Sequence, residues 1–197
     1  MPLIRETVQL LIQAAGACNL PDDRHGLRDR EWTALRFLAR ANRFSRTPSA
    51  LADYLASPRT TATQIVKALE DRSFVVRRPL QHDKRSVMLC VTAQGERLLA
   101  QHDPVSGIAN AIAALITEDC VRLRNALDAV LKRIGSPLPQ AAAGPCRGCV
   151  FLRKTATDTR SERPRANAGF HCRLHRASMT VHETALLCTS FERLSDD

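Results

Sequence analysis

No stretch of 18 consecutive apolar residues occurs in the 197-residue chain, so no segment is suited to crossing a bilayer. A secretory leader is not expected either. Glu6 and Gln9 interrupt the opening apolar pattern, and no small-residue cleavage signal follows. Catalytic signatures are also missing. There is no Gly-rich phosphate loop, no Ser/His/Asp motif and no carboxylate pair at a defined spacing. The expectation is a cytoplasmic protein that is not an enzyme. Lysine is scarce: only Lys67, Lys84, Lys132 and Lys154 occur, so the basic character rests on arginine.

What is present begins with charge. Lys and Arg total 29 against 20 Asp and Glu, a net of +9. Residues 28–85 hold 13 basic and 6 acidic residues, which is most of the excess. A basic block concentrated in one segment suits a phosphate-rich partner.

Apolar spacing predicts the elements. Ile4, Val8, Leu11 and Ala15 share one face of a helix over 4–18. A second helix covers 28–42, with Trp32, Leu35, Leu38 and Ala39 inward. A third starts at Pro48-Ser49 with Ser49 as cap. A fourth covers 59–72, with Ser57 as N-cap, Pro58 at the first helical position and an Ile65, Val66, Leu69 stripe. The period then falls to two over 74–78 and 86–92, around a polar tip at 79–85. Helical patterns follow at 93–116 and 118–134. Helices followed by a β-hairpin are the order of a winged helix-turn-helix. The expected fold is therefore mainly α with a small β-hairpin wing, a helical dimerisation region and a metal-stapled C-terminal segment. The boundaries expected are 1–134, a linker at 135–145, and a tail at 146–197.

The segment L51-A-D-Y-L-A-S-P-R-T-T-A-T-Q-I-V-K-A-L-E-D-R-S-F-V75, with R77-R-P-L-Q-H-D-K-R-S-V-M-L-C-V-T-A-Q-G95, resembles the MarR family of bacterial transcription regulators. The D-x-R tip, the apolar strand and T-x-x-G carry the likeness, which spans about residues 4–134. It implies a homodimer built from the first and the late helices, and binding to double-stranded DNA at an inverted-repeat operator. Residue chemistry agrees. Thr60, Thr61, Thr63, Gln64 and Lys67 give the fourth helix a short polar face, and Gln can pair with adenine in the major groove. Lys84 and Arg85 at the wing tip are placed to reach the adjacent minor groove, as the family's wing does. Arg77 and Arg78 are phosphate candidates.

Four of seven cysteines crowd into the last 52 residues, spaced Cys146-x2-Cys149-x22-Cys172-x15-Cys188. Few apolar residues surround them, so this tail needs a staple. Zinc would use chelating pairs, and Cys172-x2-His175 offers a second one, leaving Cys188 without a role. A [4Fe–4S] cluster would use all four thiols. A metal-free redox thiol set is a third possibility. Cys146-x2-Cys149-x-Phe151, Gly169-Phe-His-Cys172-Arg-Leu174 and Cys188-Thr-Ser-Phe191 resemble the pattern of high-potential iron–sulfur proteins and of the small subunits of benzylsuccinate-synthase-like enzymes. That resemblance implies a [4Fe–4S] cube shielded by Phe151, Phe170, Leu174 and Phe191, with His171 and His175 outside the ligand set. Cys18, Cys90 and Cys120 read as small apolar residues. Cys18 is similar in position to the reactive thiol of the family's peroxide-sensing branch. That branch activates its thiol with tyrosines, and this chain has only Tyr54. The function expected is a DNA-binding transcriptional regulator whose cluster senses iron, oxygen or redox state. The alternative is a regulator with a structural zinc tail that answers a small aromatic ligand.

Overall fold

A computed structural model describes residues 1–18, 26–80, 83–134, 143–155 and 169–194, with the side chains of residues 18, 80 and 83–86 outside the description. Seven helices and a hairpin come first: α1 (Pro2–Cys18), α2 (Asp29–Arg40), α3 (Pro48–Tyr54), α4 (Arg59–Asp71), β1 (Val75–Leu80), β2 (Asp83–Val91), α5 (Ala93–His102), α6 (Ser106–Ala113) and α7 (Thr117–Arg133). β1 and β2 pair antiparallel, Val75 opposite Val91, with the register shifting at Pro79/Leu80.

The caps differ from those expected. Helix α3 is capped by Thr47, whose hydroxyl accepts the Ala50 N–H at 3.2 Å, with Pro48 inside the first turn; Ser49 is not the cap. Helix α4 starts after Pro58 with no side-chain cap. The Ser57 hydroxyl instead donates to the Leu55 carbonyl and accepts from Arg30. The helix expected over 93–116 is broken. Pro104 disfavours helical backbone at Asp103, which is extended, and the Asp103 carboxylate takes the Val105 N–H and an Arg36 ion pair at 3.0 Å.

The core of this unit is a continuous apolar cluster. Trp32, Leu35, Phe37 and Leu38 of α2 meet Leu51 of α3, Val66 and Leu69 of α4, and Val75 and Leu89 of the hairpin. Ala39, expected inward, is only half-buried. The T-x-x-G motif has a packing reason. A Cβ on Gly95 would stand 2.5 Å from the Phe74 carbonyl oxygen and 2.8 Å from Val91 Cγ1. Thr92 holds that corner, accepting the Gly95 N–H and donating to the Ser73 carbonyl.

Among the described side chains, helices α1 and α7 contain no buried residue within one chain. Ile4, Val8 and Leu11, which share one helical face, are exposed together with Leu3, Leu10 and Ile12 of α1 and Val121, Val130 and Leu131 of α7.

The tail is built from short pieces. Strand β3 (Gly144–Pro145) pairs with β7 (Leu187–Cys188), and β4 (Leu152–Lys154), β5 (Phe170–Cys172) and β6 (Ala177–Met179) form a three-stranded antiparallel sheet. A single turn, α8 (Val181–Thr184), is closed by reciprocal Thr180 and Glu183 caps. The linker expected at 135–145 falls mostly outside the described residues, and its end, Gly144–Pro145, is part of the tail's sheet.

Candidate functional sites: a polar helix face and a four-thiol cavity

Helix α4 turns Ala62, Ile65, Val66 and Leu69 into the core, which fixes the opposite face outward. Thr60, Thr63, Gln64 and Lys67 are exposed on that face at helical spacing. Thr63 spends its hydroxyl hydrogen on the Arg59 carbonyl at 2.8 Å, leaving its oxygen as an acceptor. Thr61 is half-buried and turns toward α2. With Gln64 it lines a groove shared with Arg28, Arg30 and Arg72. These three arginines extend the basic surface and were not singled out from the sequence, since they lie on α2's approach and at α4's end. Arg77 is exposed, and its Nε pairs with Glu70 at 3.0 Å. Arg78 is exposed on the same strand. Lys84 and Arg85 lie on β2, but their side chains are outside the described residues.

The four tail cysteines come together. Cys146 and Cys149 sit at the two ends of a 3-10 turn, Cys172 ends β5, and Cys188 ends β7. All four are buried and line one small cavity of about 10 Å³. Phe44, Phe151, Leu152, Leu174 and Met179 supply its apolar wall. Phe170 and Phe191 pack against the same cluster, so all four shielding residues expected from the sequence stand at the site. Phe191 also packs where a Cβ on Gly144 would fall, 2.5 Å from its ring, so only glycine fits there. Among the described residues no group of three or more His, Cys, Asp or Glu is gathered tightly enough to hold a single metal ion. The thiols are spread around a space instead.

Two of the thiols are electrostatically unequal. Cys146 donates to Cys188, which pulls the Cys188 thiol down to about 5. The Asn42 amide, the Ser190 backbone N–H and the Ser45 hydroxyl act in the same direction, against the effect of burial. Cys146 is pushed up in return, by that shared proton, by burial and by the charges of Cys188 and Cys149. The pair thus shares one proton, with the negative charge favoured on Cys188.

Residues far upstream complete the cavity. Asn42, fully buried in the turn between α2 and α3, donates from Nδ2 to Cys146 Sγ at 3.3 Å. Phe44 stacks on His175 with ring centroids 4.1 Å apart. Arg43 pairs with Glu183 at 2.9 Å and lies over the Phe44 ring. The sequence held no local signal for these three, because their partners are more than 100 residues away. The structure docks the tail on the winged-helix unit, and an exposed ion pair, Arg193–Asp128, also reaches α7.

Residues 25–86 match the model of the MarR family. Among solved structures, the chain is similar to the Streptococcus pneumoniae protein FabT in complex with DNA, at 18% identity and a TM-score of 0.51, covering 68% of this chain and 96% of that one. A MarR transcriptional regulator from Methanosarcina mazei Go1 aligns at 18% identity and a TM-score of 0.48, over 68% and 96%. A transcriptional regulator from Thermotoga maritima aligns at 20% identity and 0.45, over 68% and 96%. A comparison with curated proteins finds no match. The likeness to FabT shows the fold over about two thirds of the chain, and the MarR-family match lies within that part. No helix among the described residues is long and apolar enough to cross a membrane.

Proposed function

We propose that this chain is a MarR-type transcriptional regulator that binds double-stranded DNA as a homodimer and carries a [4Fe–4S] cluster on Cys146, Cys149, Cys172 and Cys188. MarR-family proteins are transcriptional regulators, not enzymes. The unpartnered apolar faces of α1 and α7 support the dimer. The outward Thr60, Thr63, Gln64 and Lys67, flanked by arginines, support DNA as partner and an inverted repeat as its operator. FabT, to which the chain is similar, is itself in complex with DNA.

The observation that carries the cluster reading is the cavity: four buried thiols from separate segments around one apolar space. Such a cluster, when bound, supplies a charge and an oxidation state that answer to iron, oxygen or redox conditions. The residues of this chain hold it, exclude water with aromatic rings, and stabilise anionic sulfur. A structural zinc on a Cys/His subset, with a small aromatic ligand as signal, is the second reading. His175 favours it, because that ring lines the same cavity and its Nε2 is buried without a hydrogen-bond partner.

Metal and sulfide analysis of anaerobically purified protein tests the proposal. Iron and sulfide are expected, lost in Cys188→Ala and kept in His175→Ala. Zinc without sulfide, lost in His175→Ala and kept in Cys188→Ala, would install the second reading. For the DNA half, Gln64→Ala is expected to weaken selected duplex by about 1–3 kcal/mol while leaving scrambled duplex unchanged. An equal loss on both would make Gln64 a backbone contact.

A further inference from the structure

The α2–α3 turn belongs to two sites at once. Asn42 uses both ends of its amide. Nδ2 donates to Cys146 Sγ at 3.3 Å, while Oδ1 accepts the Phe44 and Ser45 N–H groups at 3.1 and 3.0 Å. Its own N–H donates to the Leu187 carbonyl at 2.8 Å, next to Cys188. Ser45, also buried, accepts the Thr189 N–H at 3.0 Å. The next two residues lead into the DNA-binding unit. The Arg46 carbonyl accepts the Leu89 N–H of the wing strand at 2.7 Å, and Thr47 caps α3. A path of hydrogen bonds and one short run of backbone therefore leads from the Cys146 thiol, and from the backbone on either side of Cys188, to the wing and to the helix that positions α4.

We infer that Asn42 is the positioning residue through which the state of the four-thiol site reaches the DNA-binding helices, directly through the α2–α3 turn and not through α7. This deepens the regulatory reading above and rests on it. The physical basis is the donor. An N–H holds a sulfur that carries a ligand's negative charge, as Cys146 would in a bound cluster, about twice as strongly as a neutral acceptor. A change in what the four-thiol site holds therefore changes the hold on Nδ2. Because Oδ1 of the same rigid amide pins Phe44 and Ser45, the amide cannot turn away without disturbing the turn. His175 reinforces the coupling, since its ring is stacked on Phe44. The other route, Arg193–Asp128, joins two solvent-exposed partners and imposes no comparable constraint.

A double-mutant cycle on the full-length chain tests this. Cys172→Ser disables the site at a thiol that does not bond Asn42. Asn42→Ser removes the donor and keeps a hydroxyl able to accept from the turn. Affinity is measured by fluorescence anisotropy on a duplex enriched from a random pool by the wild-type chain. Cys172→Ser is expected to change the Kd about tenfold in the wild-type background and less than twofold beside Asn42→Ser. Equal changes in both backgrounds would show a merely structural Asn42 and overturn the inference, as would no change in either. Hydrogen exchange provides a second measurement that needs no DNA. Cys172→Ser should accelerate exchange over residues 41–57 and 87–91 and leave 117–133 unchanged; acceleration in 117–133, or none in 41–57, overturns it. Iron, sulfide and zinc contents of the same wild-type sample report separately on the cluster, so its failure is distinguishable from a failure of the coupling.

Discussion

The winged-helix unit and the tail bury their interiors in different ways. The first closes on Trp32, Leu35, Phe37, Leu38, Leu51, Val66 and Leu69, all large apolar side chains from helices that cross over one another. The second closes on four cysteines and Met179, with aromatic rings packed around them. Apolar burial contributes roughly 25 cal/mol per Å², and a cysteine offers little area. One region is held by the hydrophobic effect. The other has strands of two or three residues around four thiols and Met179. The difference teaches that the first region has the apolar area to fold by burial, whereas the second has little such area to draw on.

Removing what the thiols bind should break the comparison most sharply. After chelation or acid treatment under argon, residues 146–194 are expected to become fully open to limited proteolysis, while 29–102 remain resistant. The reason is that metal-binding free energy in such small units is folding free energy, about 10–16 kcal/mol for structural zinc at neutral pH. Survival of the tail as a protease-resistant fragment would mean that Met179 and the surrounding rings are sufficient core.

Phe37→Ala sharpens the other half. Phe37 is 1% exposed and stacks on Tyr54 with centroids 4.1 Å apart. Its truncation should cost about 3–5 kcal/mol, the usual loss for a buried aromatic. Urea unfolding followed by Trp32 fluorescence gives the value. The metal content per folded chain should stay unchanged, because Phe37 does not line the thiol cavity.

Legibility followed the same division. The winged helix was readable because its signals are local. Ile65, Val66 and Leu69 repeat at helical spacing, and the hairpin alternates. The thiols were readable as a set, since composition alone isolates them. What could not be read was contact at a distance. Asn42 and Phe44 sit in the short stretch A41-N-R-F-S45, which carries no mark of a partner near residue 146 or 175. The Arg77–Glu70 pair, which joins a strand to the preceding helix, carried no local mark either. The Asp103 break was visible in principle, because Pro104 follows it, but apolar spacing outweighed the proline. Thr47 displaced Ser49 as cap for a similarly local reason: Pro48 suits the first helical turn, so the cap stands just before it.

The smallest effect expected is at the tail's second contact. Arg193 meets Asp128 through both of its terminal nitrogens at 3.2 Å, and Lys132 adds a bond at 2.9 Å. Those partners hold the Asp128 carboxyl below its ordinary range: the Lys132 hydrogen bond acts most, desolvation opposes it, and the Arg193 and Lys132 charges and the Arg193 hydrogen bond lower it further. The sign is that of a depressed carboxylate. Whatever the pairs contribute is fully present above the ordinary Asp pKa and is lost as pH falls through the lowered value. All three side chains face solvent, where exposed pairs are screened and contribute little. Asp128→Asn should therefore leave the midpoint of thermal unfolding at pH 7 within error of wild type, and the protease resistance of 146–194 unchanged. The contrast with the buried turn is the point of the measurement. A tail that detaches in Asp128→Asn would shift its anchor from Asn42, Ser45 and Leu187 to the surface of α7, and a tail that stays places the weight on the α2–α3 turn.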